Sequence, residues 1–237
     1  QRILHGQRAG DVAVLGAGVA DWETGAGVAR VVVPADASVD GLLIPGAHNE
    51  TNAAMAIEIC RAVRRAGGHG FEFDEAARAA RTFPGLPHRL RHIGSINGVR
   101  YYDDSKSTTP RATMLALDAF PIERETRRIH LIAGGYDKGQ DLSAIALASP
   151  ELKGLYTIGA TGSSLARAAG GDANSAVVQC VTLEAAMSEI ARRVAPGDVV
   201  LLSPGCASWD QFENYEKRGA RFSELVPGIG TRDGGHG

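Results

Sequence analysis

The sequence predicts an α/β protein whose larger part is a mainly parallel sheet covered by helices on both faces. Three observations carry this. From residue 87 onward, short apolar runs bounded by glycine alternate with helical stretches, the pattern of strands buried on both faces. Polar clusters rich in glycine, hydroxyl groups and lysine follow those runs, at the carboxyl ends of strands where ligands bind in such sheets. Before residue 87 the texture is different, with β-rich runs leading into one long helical pattern.

In chain order, Val12 to Leu15, Val28 to Val33 and Gly41 to Ile44 read as short strands between Gly and Asp turns. Between His48 and Ala66 the positions Ala53, Ile57, Cys60 and Val63 recur at three- and four-residue steps, a buried helical stripe that Gly67-Gly68 stops. Asp74 to Arg81 reads as a short helix with Asp at its start and alanines throughout. Phe83-Pro84-Gly85-Leu86-Pro87 ends it, and two prolines with a glycine mark a boundary between regions 1–86 and 87–226. His92 to Ile96 and Val99 to Tyr102 flank Asn97-Gly98, a strong hairpin signal. Thr109-Pro110 supplies an N-cap and a first-turn proline for a helix to about Phe120. Strands at Ile129–Ala133, Leu155–Ile158, Val177–Cys180 and Val199–Ser203 then alternate with helices at Leu142–Ala148, Ser163–Ala169, Leu183–Val194 and Asp210–Arg221. The glycine-rich stretch 227–237 lacks apolar periodicity and reads as a disordered tail.

With 25 basic and 27 acidic residues among 237, the charge balance argues against nucleic acid or an anionic membrane as partner. Cys60, Cys180 and Cys206 fit neither a disulfide framework nor a zinc spacing, and no metal site is read from this chain. A cytoplasmic, monomeric protein is the simplest expectation, with neither a membrane-spanning run nor a secretion signal. The first residue is Gln1 rather than methionine, so the chain is expected to be incomplete at its N-terminus.

Three polar clusters end successive strands: residues 102–109 (YDDSKSTT), 134–139 (GGYDKG) and 203–210 (SPGCASWD). The chain has 4 lysines against 21 arginines, yet Lys106 and Lys138 both fall in these clusters. Two ammonium groups beside the hydroxyls of Thr108 and Ser208 would hold a carboxylate or phosphate. In the first region Asn49 and Asn52 stand three apart at a helix start, where paired carboxamides can read a base edge such as adenine or simply cap the helix. His88-Arg89 places a basic pair just after the boundary. Residues 14–21 (VLGAGVAD) begin like a dinucleotide fingerprint but put Asp21 at the third glycine position, and they read as a turn. No GxxxxGK[ST] phosphate loop occurs.

Taken together, GAHNETNAAMA, FPGLPHRL, YYDDSKSTTPRAT, LIAGGYDKGQDL and LLSPGCASWDQFENYEKRG resemble the second half of the Mur ligases, and the DSK, GG-x-DKG-x-D and CAS-x-DQF elements resemble their D-glutamate-adding branch. The resemblance implies that 1–86 closes the central ATP-binding domain and that 87–226 is a Rossmann-like C-terminal domain holding the incoming amino acid. It implies an ATP-dependent ligase of peptidoglycan synthesis. The carboxylate of UDP-N-acetylmuramoyl-L-alanine is phosphorylated and the D-glutamate amine attacks the acyl phosphate, while cations offset the developing charge. By the same resemblance Asn49 and Asn52 contact adenine, Arg89 a phosphate and Asp104 the ribose, so that ATP spans the junction. Thr108, Lys138, Ser208 and Tyr215 hold D-glutamate, and Lys106 lies between amino acid and phosphate, so Lys106 and Lys138 are the catalytic candidates. His88 falls at the junction. The phosphate loop, the Mg2+ ligands and a carbamylated lysine are expected upstream of Gln1, so the isolated chain is expected to be inactive. Asp103, Ser107, Trp209 and Tyr215 stand where the family usually has Asn, Ala, Phe or Leu, and Phe. The last two differences leave L-glutamate as an alternative substrate. Further alternatives are a non-catalytic amino-acid or nucleotide-binding module and, against the broken fingerprint, a nicotinamide-dependent oxidoreductase.

Overall fold

The computed structural model describes residues 4–122 and 127–226. The chain divides into two compact units, Gln1–Pro84 and Gly85–Gly237.

In the first unit, β1 (Val12–Gly16) and β2 (Ala29–Val33) pair in parallel, with Val12 opposite Ala29 and Gly16 opposite Val33. The fingerprint-like stretch forms one short 3-10 turn at Ala17–Val19. Helix α1 (Ala47–Ala66) and helix α2 (Phe73–Arg81) follow, and Val33, Val39, Ala54, Ile57 and Ala77 form a small core. Three expectations are corrected here. Residues 41–44 form bends rather than a strand, because Gly41 at φ 72° bends the chain at the start of the segment and Gly46 at φ 106° bends it again shortly after. The buried stripe of α1 runs through Ala54 and Ile57, while Cys60 and Val63 are exposed. Asp74 lies in the first turn of α2, where its charge suits the helix dipole, and does not cap it.

The second unit is a six-stranded sheet built from β3 (Arg91–Ile96), β4 (Val99–Asp103), β5 (Arg127–Gly134), β6 (Leu152–Ile158), β7 (Val177–Val181) and β8 (Val199–Leu202), in the order β3-β4-β8-β5-β6-β7. Only the β3 and β4 hairpin is antiparallel. Asn97 at φ 51° and Gly98 at φ 77° make its turn, the left-handed pair a two-residue hairpin needs. Between the strands run α3 (Pro110–Asp118), α4 (Ser143–Ala148), α5 (Gly162–Ala168) and α6 (Leu183–Ala191), and α7 (Tyr215–Leu225) follows β8. Thr109 caps α3 and Thr182 caps α6, each hydroxyl accepting from the backbone N–H three residues on.

Alternation along β8 shows how both faces are covered. Val199 and Leu201 pack with Leu117, Ile145 and Leu165 on one face, and Val200 and Leu202 pack with Leu183, Ile190 and Phe222 on the other. One helix boundary is corrected: α7 begins at Tyr215 rather than Asp210. Asn214 caps it by accepting from Lys217 N at 2.8 Å, and the Asp210 carboxylate is held away by Ala160 N. The stretch 227–237, expected to be a disordered tail, lies outside the described residues. Among the described residues no helix is long and apolar enough to cross a membrane.

Candidate functional site

The adjacent parallel strands β4, β8 and β5 release three loops at one edge of the sheet, and these hold the polar clusters. The loops are fastened to one another. Gly205 N donates to Ser107 O at 2.9 Å, Gly134 N to Pro204 O at 2.8 Å, and Tyr136 N to Ala207 O at 2.9 Å. Gly135, at φ 147°, allows the last approach, since a Cβ there would overlap the Ala207 carbonyl oxygen. Thr161, at the end of β6, binds both the N–H and the C=O of Gly135.

On this frame Lys106 donates through Nζ to Tyr215 Oη at 2.9 Å and lies 4.8 Å from the centre of its ring. Lys138 places Nζ 4.2 Å from the centre of the Trp209 ring, which also packs against Tyr136. Among the described residues, neither ammonium group forms an ion pair with a carboxylate. Lys138 rests on an aromatic face, an arrangement worth about 0.5–1 kcal/mol when exposed, and Lys106 is held by a ring hydroxyl, so neither charge is neutralised. Ser208 is buried and Thr108 half-buried beside them. The loops that carry Lys106, Thr108, Lys138 and Ser208 are thus brought to one edge, with the first residue of α7, Tyr215, touching Lys106.

Asp104, which the resemblance assigns to the ribose, is 5% exposed. Its carboxylate is buried, accepting from Leu90 N at 3.0 Å and from Ser203 Oγ at 2.7 Å. Burial pushes the carboxyl up to about 6, against hydrogen bonds from Ser107, Ser203 and Leu90 that pull it down. Its bond to Leu90 shapes a turn in which His88 (φ 60°) and Leu90 (φ 45°) are both left-handed, and the exposed Arg89 lies between them. His88 meets Asp103 through Nδ1 and Oδ2 at 2.7 Å and packs edge-on to Tyr215. In the first unit Asn49 donates through Nδ2 to Pro45 O at 2.7 Å, tying its carboxamide to the start of α1, and Asn52 is exposed. Among the described residues no group of three metal-ligating side chains is present.

Sequence reasoning missed Arg218. Its side chain is 1% exposed, yet it bonds to both the β4 and the β8 loop. In sequence it looks like one charge of a solvated helix face. The following Gly219 is the available signal, since a Cβ there would lie 2.7 Å from Asp103 Oδ2 and overlap the His88 ring.

The chain is similar to known proteins in sequence and in fold. The family model for the Mur ligase, glutamate ligase domain, matches residues 88–206. A UDP-N-acetylmuramoylalanine–D-glutamate ligase of Ralstonia nicotianae is 38% identical over 203 residues, covering 86% of this chain and 38% of the relative. One of the same name from Sphingopyxis alaskensis is 40% identical over 188 residues, covering 79% and 41%. The chain therefore spans about two fifths of the length of these curated relatives. Among solved structures, the UDP-N-acetylmuramate-alanine ligase of Thermotoga maritima matches with a TM-score of 0.54 at 18% identity, over 77% of this chain and 38% of that one. A Mycobacterium tuberculosis folylpolyglutamate synthase solved with ADP matches with a TM-score of 0.55 at 17% identity, over 84% and 49%. These two likenesses are of fold alone.

Proposed function

The chain belongs to the Mur ligase family, and on that premise we propose that it is part of an ATP-dependent ligase that joins D-glutamate to UDP-N-acetylmuramoyl-L-alanine through an acyl phosphate, in the cytoplasmic synthesis of peptidoglycan precursor. In this reading the first unit is the closing part of the ATP-binding domain and residues 87–226 are the amino-acid domain. The observation that carries it is the pair of ammonium groups, Lys106 at the Tyr215 hydroxyl and Lys138 on the Trp209 ring, each on a loop pinned to the one that bears Ser208.

A dicarboxylic amino acid suits that arrangement. A cation and a carboxylate about 4 Å apart near a protein surface attract by roughly 4 kcal/mol before desolvation, and two such cations favour a dianion over a neutral side chain. Lys138, Ser208, Thr108 and Tyr215 bind and orient the acid. Lys106 stands toward the reacting carboxylate, where its charge stabilises the anion that develops as the amine attacks. On the nucleotide side, Arg89 and Asn52 are exposed and able to meet a phosphate and a base. Asn49 keeps its carboxamide oxygen for adenine, and Asp104 serves the ribose end by holding the turn that presents Arg89. ATP and Mg2+ belong to the proposal for the whole enzyme, in which the metal offsets phosphate charge.

Calorimetric titration of D-glutamate into this chain and into Lys138→Ala tests the reading. Saturable, lysine-dependent uptake with no phosphate release from ATP supports it. Uptake unchanged by Lys138→Ala, or no preference for glutamate over glutamine, contradicts it. A parallel titration with L-glutamate decides the stereochemistry, which the Trp209 and Tyr215 side chains leave open.

A further inference from the structure

We infer that Arg218 is the positioning residue of the amino-acid site, holding the Lys106 loop, the Ser208 loop and the start of α7 at fixed spacing without touching substrate. All three features converge on its guanidinium. Nε donates to Ser105 Oγ at 3.0 Å, Nη2 to Ser105 O at 2.8 Å and to Cys206 O at 3.1 Å, and Nη1 to Ala207 O at 3.2 Å. Ser105 immediately precedes Lys106, and Cys206-Ala207 immediately precede Ser208. Ser105 Oγ in turn donates to Tyr215 O at 2.8 Å, so the ring that supports Lys106 is referenced to the same clamp.

The planar fork with five donors makes four bonds to two loops here, one more than the three N–H groups of an ammonium can form. Hydrogen bonds to a charged donor are also the stronger kind. The clamp has a second consequence. The nearest carboxylates are engaged elsewhere, Asp103 with His88 Nδ1 and Ser105 N, and Asp210 with Ala160 N. A buried cation therefore stands behind the loops with its charge only partly offset, which adds to the attraction that Lys106 and Lys138 exert on an anion.

The identity of the ligand rests on the D-glutamate reading above, whereas the clamp does not, and the test separates them. Amide hydrogen exchange and D-glutamate affinity are measured on the 237-residue chain and on Arg218→Lys, Arg218→Met and Ser105→Ala. Positioning predicts that in Arg218→Lys the amides of Lys106, Tyr136 and Gly205 exchange at least tenfold faster while those of Leu131 and Leu201 in the strands stay within twofold. Affinity falls at least tenfold in parallel, and lysine, despite its charge, does not rescue the methionine variant. Should either arginine variant fail to fold, Ser105→Ala, which removes the bond from Arg218 Nε and the bond to Tyr215 O, is expected to give the same pattern at three- to fivefold. Loop exchange and affinity both unchanged would overturn the inference. So would lost affinity with unchanged loop exchange, since the arginine would then not act by position. Failure of the unsubstituted chain to bind D-glutamate would count against the amino-acid site, and loop exchange in Arg218→Lys would still decide whether the arginine holds the loops.

Discussion

Replacing Asp104 by Asn removes a buried titration, and its consequence can be worked from the structure. The carboxylate is 5% exposed, and burial pushes it from 3.8 up to about 6. Between those two values the folded chain holds the proton more tightly than the unfolded chain, so the stability Asp104 contributes falls as pH rises through the window from 4 to 6 and is flat above it. The gap of about two pH units corresponds to roughly 3 kcal/mol. Asparagine keeps an oxygen for Leu90 N and offers its amide to Ser203 Oγ, so Asp104→Asn is expected to gain about 3 kcal/mol relative to the parent chain between pH 4 and pH 7. Trp22 and Trp209 are the two tryptophans. A Trp22→Phe background therefore makes fluorescence report the second unit, and urea midpoints are taken across the pH range. A difference between variant and parent that is constant with pH, or that shrinks as pH rises, would refute the reasoning.

Further outcomes follow from other contacts. Gly219→Ala would add about 1 kcal/mol of helix propensity on an open surface. Here its Cβ displaces the His88 and Asp103 pair, so a net loss of about 2 kcal/mol and a shifted His88 imidazole resonance are expected, measured by urea unfolding and NMR. Asp198, at the opposite edge of the sheet, is fully buried and receives Ala195 N, Lys153 Nζ, Arg128 Nε and His130 Nε2. Burial alone would raise its carboxyl, but these bonds hold it below the ordinary value. Its stabilisation is therefore present above about pH 4 and lost as pH falls below that, and Asp198→Asn costs about 3–5 kcal/mol at neutral pH. Trp209→Ala frees the Lys138 ammonium from its ring at the loss of about 0.5–1 kcal/mol, a two- to fivefold weaker uptake of D-glutamate by calorimetry.

Much of the fold was legible because its signals are local. Asn97-Gly98 specifies its own hairpin, Thr109-Pro110 its own helix start, and the apolar runs of β5, β6 and β8 are continuous because both their faces are covered. The misreadings have a common source in competition between local signals and tertiary partners. Residues 41–44 carry strand-like side chains, but Gly41 and the nearby Gly46 turn the backbone. The start of α7 was misplaced because Asp210 looks like a cap and is instead drawn to the Ala160 amide, leaving the role to Asn214. In α1 the alternative apolar stripe was one position away, and the periodicity does not say which of two adjacent stripes finds a core. The meeting of the loops that bear Lys106, Lys138 and Ser208 was legible because each cluster ends a strand of one parallel sheet. Arg218 was not legible, since its partners are backbone carbonyls and a serine hydroxyl on two distant loops, and the burial of Asp104 has no local signal, since its partners Leu90 and Ser203 are distant in sequence.

The central claim is that the loops after β4, β5 and β8 together receive a dicarboxylic amino acid. A titration of the isotope-labelled chain with D-glutamate, followed by amide chemical shifts, tests it most directly. The account predicts saturable shifts confined to residues 104–109, 136–140, 205–209 and the first turn of α7. Shifts centred on Lys153, Arg128 and Asp198 at the other edge of the sheet, or spread without pattern over the surface, would contradict it.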